Sequence, residues 1–332
     1  MSEKNNLAEL GEFGLIELIK QQVSSSASLR MGIGDDCSIQ PTAPDQDLLT
    51  SKDLLIEGVH FDLNWTGYEQ LGRKSAAVNL SDIAAMGGRP RYLWLGLAVP
   101  AGLTVDNIQR FMNGFIAEAS ACGAVLAGGD TCRSPGPLMI SVTVQGEVAK
   151  GRAVLRSGAR SGDAVYVSGQ LGESAFALTE LQKGHDPVPE VAQRHHVPSA
   201  RTGLGALLAE QGLATAMIDV SDGLLADLGH ILKASSKGAE IVAAQVPVAP
   251  VIKDRCPVDE GLSLALSGGE DYELLFTADP LNTPALQQLS TELALPLSRI
   301  GTITVGSGLD LLGPNGTCVP VGLSGFDHFG EK

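Results

Sequence analysis

Residues 218–230 read IDVSDGLLADLGH. Ala216, Met217 and Ile218 lead as a short apolar run into Asp219, Val220, Ser221, Asp222 and Gly223. Leu224, Leu225, Leu228, Ile231 and Leu232 then recur at helix spacing. A strand therefore hands over to a helix with two carboxylates at the junction, a favoured position for a ligand in open α/β sheets. Two unit charges about 4 Å apart repel by roughly 4 kcal/mol at an effective dielectric near 20, so they call for something positive. The local alternative is that Ser221 or Asp222 caps the helix that starts near Leu224. For one such stretch alone the cap is the better reading, so the rest of the chain has to decide.

The chain has 332 residues, enough for two domains of ordinary size. Apolar residues make up 44% and charged residues 18%, a globular rather than a disordered balance. The net charge of −15 excludes nucleic acid and anionic membrane as natural partners. It also means that an anionic substrate would need cations beside it. Five scattered cysteines without a CxxC pair (Cys37, Cys122, Cys132, Cys256 and Cys318) read as small buried residues in a reducing compartment. MSEKNNLAEL has no apolar signal core, and the most apolar run, 93–103, is short and broken by Pro100. The expectation is a soluble, cytoplasmic protein.

Pattern predicts strands at 48–50, 91–99, 138–148, 164–169, 239–243 and 272–277, and helices at 70–86, 105–122 and 173–181. HDPVPE, 185–190, reads as a surface loop, and His195 and His196 as loop residues before Pro198. GRAVLRSGARSGD, 151–163, is basic and glycine-punctuated, an interdomain connection. Two domains of α/β type follow from this alternation.

The acidic junction recurs. GIGDDCS sets Asp35 and Asp36 after a glycine turn, and an apolar run ends at Ser51, Lys52 and Asp53. AAVNLSDIAAMGG puts Asp82 on an apolar helix, and VLAGGDT delivers Asp130 after a strand and two glycines. Adjacent side chains of an extended segment point opposite ways, so Asp35 is expected to be a turn residue. A lone carboxylate on a packed helix is costly, which makes Asp82 the hardest to dismiss. Together, carboxylates at the ends of buried elements suit a hard cation. Neither a zinc cluster nor a DxDxDG calcium loop is present. Scattered aspartates with Ser51 and Ser221 suit magnesium, which also takes phosphate oxygens, and Arg156 reads equally well as a phosphate ligand and as a solvated linker arginine. The P-loop motif and the protein-kinase motif set are both absent.

GIGDD, SKDLLIEGVHF, AVNLSDIAAMGG, GGDT, GRAVLRSGA, IDVSDGL, SGGEDYELLF and GFDHF, in this order from residue 11 to 329, resemble the thiamine-monophosphate kinases. GGD and SDG alone resemble the wider superfamily of aminoimidazole-ribonucleotide synthetase, selenophosphate synthetase and HypE. EGVHF, SGGEDYELLF and FDHF narrow it. The resemblance implies a two-domain synthetase-like α/β (α+β) fold. Residues 1–150 would form a mixed sheet with helices that binds ATP and Mg²⁺ and pairs across a homodimer. Residues 151–332 would form an α/β sandwich. It implies transfer of the ATP γ-phosphate onto thiamine monophosphate, the last step of thiamine diphosphate synthesis, with several Mg²⁺ ions. By the same resemblance Asp36, Ser51, Asp53, Asp82, Asp130, Asp219 and Asp222 are metal-site positions. Gly129, Asp130, Arg156 and Ser221 are nucleotide positions, and His60 and Glu270 substrate positions.

Six aspartates, ATP and thiamine monophosphate sum to roughly eleven negative charges, which on the order of four or five Mg²⁺ would neutralise. Such a transfer needs in-line placement and charge cancellation, so no catalytic side-chain nucleophile or strong base is expected. Lys52 stands where the family often has Thr, so only its backbone carbonyl is available to a metal. Leu323 stands where some members set a Trp against the substrate, with Phe326 as the nearby ring. The rivals are another ATP-dependent synthetase of the superfamily and a non-catalytic Mg-nucleotide-binding protein.

Overall fold

Alternation of buried and open side chains along Gln46–Ile56 builds an inner strand of the first sheet. Asp47, Leu49 and Leu55 turn inward while Lys52 and Leu54 turn out. The computed structural model describes residues 30, 35–36, 38–41, 44–313 and 317–320. Five strands, Ser38–Pro41 (β1), Gln46–Ile56 (β2), Arg89–Pro100 (β3), Val125–Ser134 (β4) and Met139–Ala149 (β5), pair in the order β1-β2-β5-β3-β4. Only β3 and β4 run parallel, so the sheet is mixed.

The helices Tyr68–Ala85 (α1) and Val105–Ala121 (α2) cover one face of this sheet. Their crossing is set by two glycines. A Cβ on Gly72 would lie 2.0 Å from the Phe111 carbonyl oxygen, and one on Gly114 would lie 1.9 Å from that of Glu69. The backbones thus touch where side chains would normally keep them apart. The other face is open, with Leu54 52% and Tyr92 46% exposed.

The second half contributes Ala164–Ser168 (β6), Ala216–Asp219 (β7), Gly238–Val242 (β8), Leu274–Ala278 (β9), Leu297–Thr304 (β10), Gly308–Leu312 (β11) and Cys318–Pro320 (β12). They form a second mixed sheet in the order β12-β11-β8-β10-β6-β9-β7. β6 and β9 are buried at every position, as strands covered on both faces are. The covering helices are Glu173–Gln182 (α3), Pro189–His196 (α4), Thr202–Glu210 (α5), Leu224–Ser235 (α6), Pro250–Lys253 (α7), Val258–Ser267 (α8) and Thr283–Glu292 (α9). α1 also packs on α5 and β7, so one helix serves both halves.

The expected strands and helices are present, with three differences. β4 does not stop at its glycines: it runs through Gly128, Gly129 and Asp130, because pairing with β3 from Tyr92 to Pro100 overrides their turn preference. The Pro-rich loop ends at Val188, and Pro189 begins a helix, where its fixed φ and missing N–H suit the first turn. His195 and His196 are buried helix residues, and Cys132 is exposed on β4. Among the described residues no helix is long and apolar enough to cross a membrane.

Gly72→Ala and Gly114→Ala are each expected to lower stability by about 1–3 kcal/mol, the usual cost of overpacking. The double variant should lose less than the sum, since separating the helices once relieves both collisions. Urea unfolding midpoints of the four proteins check this.

Candidate active site

The turn after β7 is organised from behind. Asp227, buried on the first turns of α6, accepts backbone N–H bonds from Ser221 (3.0 Å), Asp222 (3.1 Å) and Gly223 (3.2 Å). Gly223 holds φ +116°, a value that side chains resist, and begins α6 without a side-chain cap. The local reading of Ser221 or Asp222 as the cap is therefore corrected. Asp227 instead holds the three N–H groups of the turn from behind, and Ser221 and Asp222 lie on that organised turn.

Toward that turn come carboxylates from three separate parts of the chain. Asp36, Asp82 on α1 and Asp219 at the end of β7 each offer an oxygen, all within 4.8 Å of one another. Neighbouring groups hold them in place. Ser51 Oγ donates to Asp82, and Ser81 Oγ donates to Asp219 at 2.6 Å. The Asp53 amide donates to Asn79 Oδ1 at 3.2 Å, tying β2 to α1. Arg156 donates to Asp36 through Nε (3.2 Å to Oδ2) and Nη2, and its backbone N–H donates to Asp35 Oδ2 at 3.0 Å. Asp35 does not point away from Asp36 as an extended pair would. Both carboxylates turn to the same arginine.

Burial and crowding leave a clear electrostatic mark. Burial first, then Asp36, push Asp219 up to about 7 and Asp53 to about 6. Burial and then Asp53, Asp219 and Asp36 push Asp82 well above the carboxylate range. Burial opposes the charge of Arg156, but Asp36, Asp35 and Asp219 outweigh it and push the guanidinium pKa up. Hard carboxylate oxygens that repel one another at this range are the donor set that magnesium requires, so the residues fit such an ion.

The remaining expected residues divide. Ser221 and Asp222 are half-buried on the organised turn. Lys52 points to the other side of the sheet, where its ammonium bonds Ser141 and Thr143, so its side chain is turned from the carboxylates. Gly129 aligns with Leu95, Val142 and Asp53 across the sheet, but Asp130 falls one step further along. Both are exposed on the edge strand, and Asp130 is not in the carboxylate trio. His60 accepts the Ile56 N–H on Nδ1 at 3.1 Å, which leaves the proton of the neutral ring on Nε2. Leu323 and Phe326 lie outside the described residues.

Glu270 stands beside the turn. Its N–H donates to the Ser221 carbonyl at 2.8 Å, and Tyr272 N–H to that of Val220 at 2.8 Å. Both residues hold positive φ, +66° and +49°. The Glu270 carboxylate meets Lys74 Nζ of α1 at 2.9 Å and 3.1 Å. Burial pushes the Tyr272 hydroxyl pKa up, followed by Glu270, Asp53, Asp219 and Asp222.

Residues 34–148 match the AIR synthase related protein N-terminal domain, and residues 160–313 the C-terminal domain of the same description. Thiamine-monophosphate kinase of Escherichia coli (strain K12) is 40% identical over 328 residues, covering 96% of this chain and 98% of that protein. The chain belongs to the thiamine-monophosphate kinase family. Among solved structures, thiamine-monophosphate kinase from Stenotrophomonas maltophilia K279a is 39% identical with a TM-score of 0.78, covering 93% of this chain and 98% of that one. AaThiL complexed with AMPPCP and TMP is 34% identical with a TM-score of 0.83, covering 98% and 100%.

Sequence reasoning for a member of the thiamine-monophosphate kinase family missed Lys74, Asn79, Ser81 and Asp227. A signal existed for two of them. Lys74 and Ser81 are seven residues apart on α1, two turns and one face.

The raised pKa values of Asp53, Asp82 and Asp219 have a sign that can be tested. Unfolded, these groups ionise near 4, so between about pH 4 and 7 the folded protein binds more protons. Their contribution to stability therefore falls as pH rises through that window. With chelator present, the melting temperature of Asp219→Asn should decline less steeply with pH than wild type. Added Mg²⁺ should raise the wild-type melting temperature most at the alkaline end. A wild-type profile no steeper than that of the variant would count against the crowding.

Proposed function

We infer that this chain transfers the γ-phosphate of ATP to the phosphate of thiamine monophosphate, releasing ADP and thiamine diphosphate. The observation that carries the reading is the convergence of Asp36, Asp82 and Asp219 within 4.8 Å. It occurs in a chain 40% identical to the Escherichia coli thiamine-monophosphate kinase and 34% identical to a structure described with AMPPCP and TMP.

The chemistry follows from charge. A phosphate oxygen of the acceptor attacks the γ-phosphorus, and the bond to the β-bridging oxygen breaks. The acceptor oxygen is already ionised near neutral pH, so the site needs neither a nucleophilic side chain nor a strong base. Magnesium, held by Asp36, Asp82 and Asp219 with Ser51, Asp53, Asp130 and Asp222 as further donors, would neutralise the phosphates and the developing charge. The protein's part is to bind and orient. Arg156 releases Asp36 to a metal ion and takes a phosphate oxygen with its planar donors. Gly129 and Ser221 contact the nucleotide, and His60, through Nε2, and Glu270 meet the thiamine end.

Residues 1–150 form the part that binds ATP and pairs two copies, and residues 151–332 form the other domain. The open face of the first sheet, with Leu54 and Tyr92, supports the pairing of two copies; a cytoplasmic location is part of the same proposal.

A ³¹P NMR time course with ATP, Mg²⁺ and thiamine monophosphate tests the reading. New diphosphate resonances should grow in step with ADP. Unchanged thiamine monophosphate beside a folded, ATP-binding protein would assign the chain another acceptor. Asp219→Asn should lower turnover by roughly 100-fold or more, in line with losing one electrostatic contact to a transition state. It should melt no lower than wild type without metal, because the substitution removes a buried, repelled charge. Wild-type turnover in that variant at low Mg²⁺ would exclude Asp219 from the metal site.

A further inference from the structure

Lys74 is a cation that the phosphate chemistry does not use. It is 2% exposed, deep in α1, and its ammonium donates to both oxygens of Glu270, at 2.9 Å and 3.1 Å. An uncompensated ammonium at that depth would be costly, so the pair is held by mutual need. The partners come from the two halves of the chain, 196 residues apart.

The groups around Glu270 leave it little freedom. His195 Nδ1 lies 3.5 Å from Glu270 Oε2 and 2.9 Å from Ser174 Oγ. Burial, then Lys74 and His196, push the His195 pKa down to about 2, so the ring is a neutral neighbour rather than a second cation. The loop is pinned on either side as well. Asp271 accepts the Gly172 N–H at 2.9 Å ahead of α3, and Glu273 accepts from Arg201 Nε at 2.7 Å. Positive φ at Glu270 and Tyr272 is a conformation that persists only where surroundings over-determine it. The loop is built to present one side chain in one orientation, and that side chain remains 28% exposed.

We propose that Lys74 is a positioning residue for the acceptor substrate, fixing the Glu270 carboxylate across the two domains as an oriented hydrogen-bond acceptor for the aminopyrimidine end. The inference rests on the reading of Glu270 as a thiamine contact. Because Lys74 neutralises the charge, the pocket selects a donor group at a defined angle more than a cation in general. Recognition of the acceptor then depends on α1 and the loop of the second domain being assembled together. Donor binding does not.

Steady-state kinetics of Lys74→Met, Glu270→Gln and the double variant, with melting curves as the control for folding, test this. Lys74→Met should raise KM for thiamine monophosphate at least tenfold while KM for ATP stays within twofold and kcat within threefold. The double variant, whose pair is neutral, should match Glu270→Gln, since Lys74 acts only through that carboxylate. If Glu270→Gln raises the acceptor KM and Lys74→Met does not, the positioning role is overturned and the Glu270 contact stands. If Glu270→Gln leaves the acceptor KM unchanged, the Glu270 contact itself is wrong, and the proposal goes with it. Should Lys74→Met fail to fold, the double variant carries the comparison, and a further rise in acceptor KM beyond Glu270→Gln overturns the proposal.

Discussion

Asp36, Asp82 and Asp219 reach one point from three separate parts of the chain, and their repulsion there is a cost that the surrounding chain has to offset. Much of the local structure can be read as that response. Ser51 and Ser81 donate hydrogen bonds to two of the carboxylates, and Arg156 supplies the opposing charge to the third. Asp227, a further carboxylate, is itself satisfied by three backbone N–H groups and keeps the turn after β7 open toward the cluster. Local stability is given up at this place, the pattern expected of a functional site.

α1 is the element on which this convergence depends. It is buried on nearly every side, and carries Lys74, Asn79, Ser81 and Asp82 among alanines and leucines. Close approach at Gly72 and Gly114 sets it against α2, while its remaining surface meets the second sheet and α5. A helix wholly covered by apolar neighbours has a rigid axis, so polar side chains on it are delivered with little freedom. The carboxylate cluster and the Glu270 loop are thereby referenced to a single rod.

Much of this was legible in the sequence, for identifiable reasons. The alternation in β3 and β5 and the apolar spacing in α1 and α2 are long enough for periodicity to decide them. Asp82 and Asp219 stood out because carboxylates within apolar runs have few comfortable explanations. Asp227 did not, since an aspartate on the first turns of a helix is ordinary, and only the fold reveals what it accepts. Lys74 follows the polar start of α1 and was given no role, although tertiary contacts bury it. The glycines before Asp130 signalled a turn, but a parallel partner strand kept them extended. His195 and His196 were hidden by Pro198, whose local signal said loop while the packing of α4 made them buried.

The distance along the chain between Lys74 and Glu270 has a consequence during synthesis. A ribosome adding about 5–20 residues per second needs roughly ten to forty seconds to cover those 196 residues. Once Ala149 is made, the first sheet and α1 are complete in sequence, while the carboxylate that answers Lys74 does not yet exist. The nascent first domain must therefore keep that lysine in water, with α1 incompletely docked, until the loop containing Glu270 arrives. Final burial of α1 is in this sense a late event, timed by the other half of the chain.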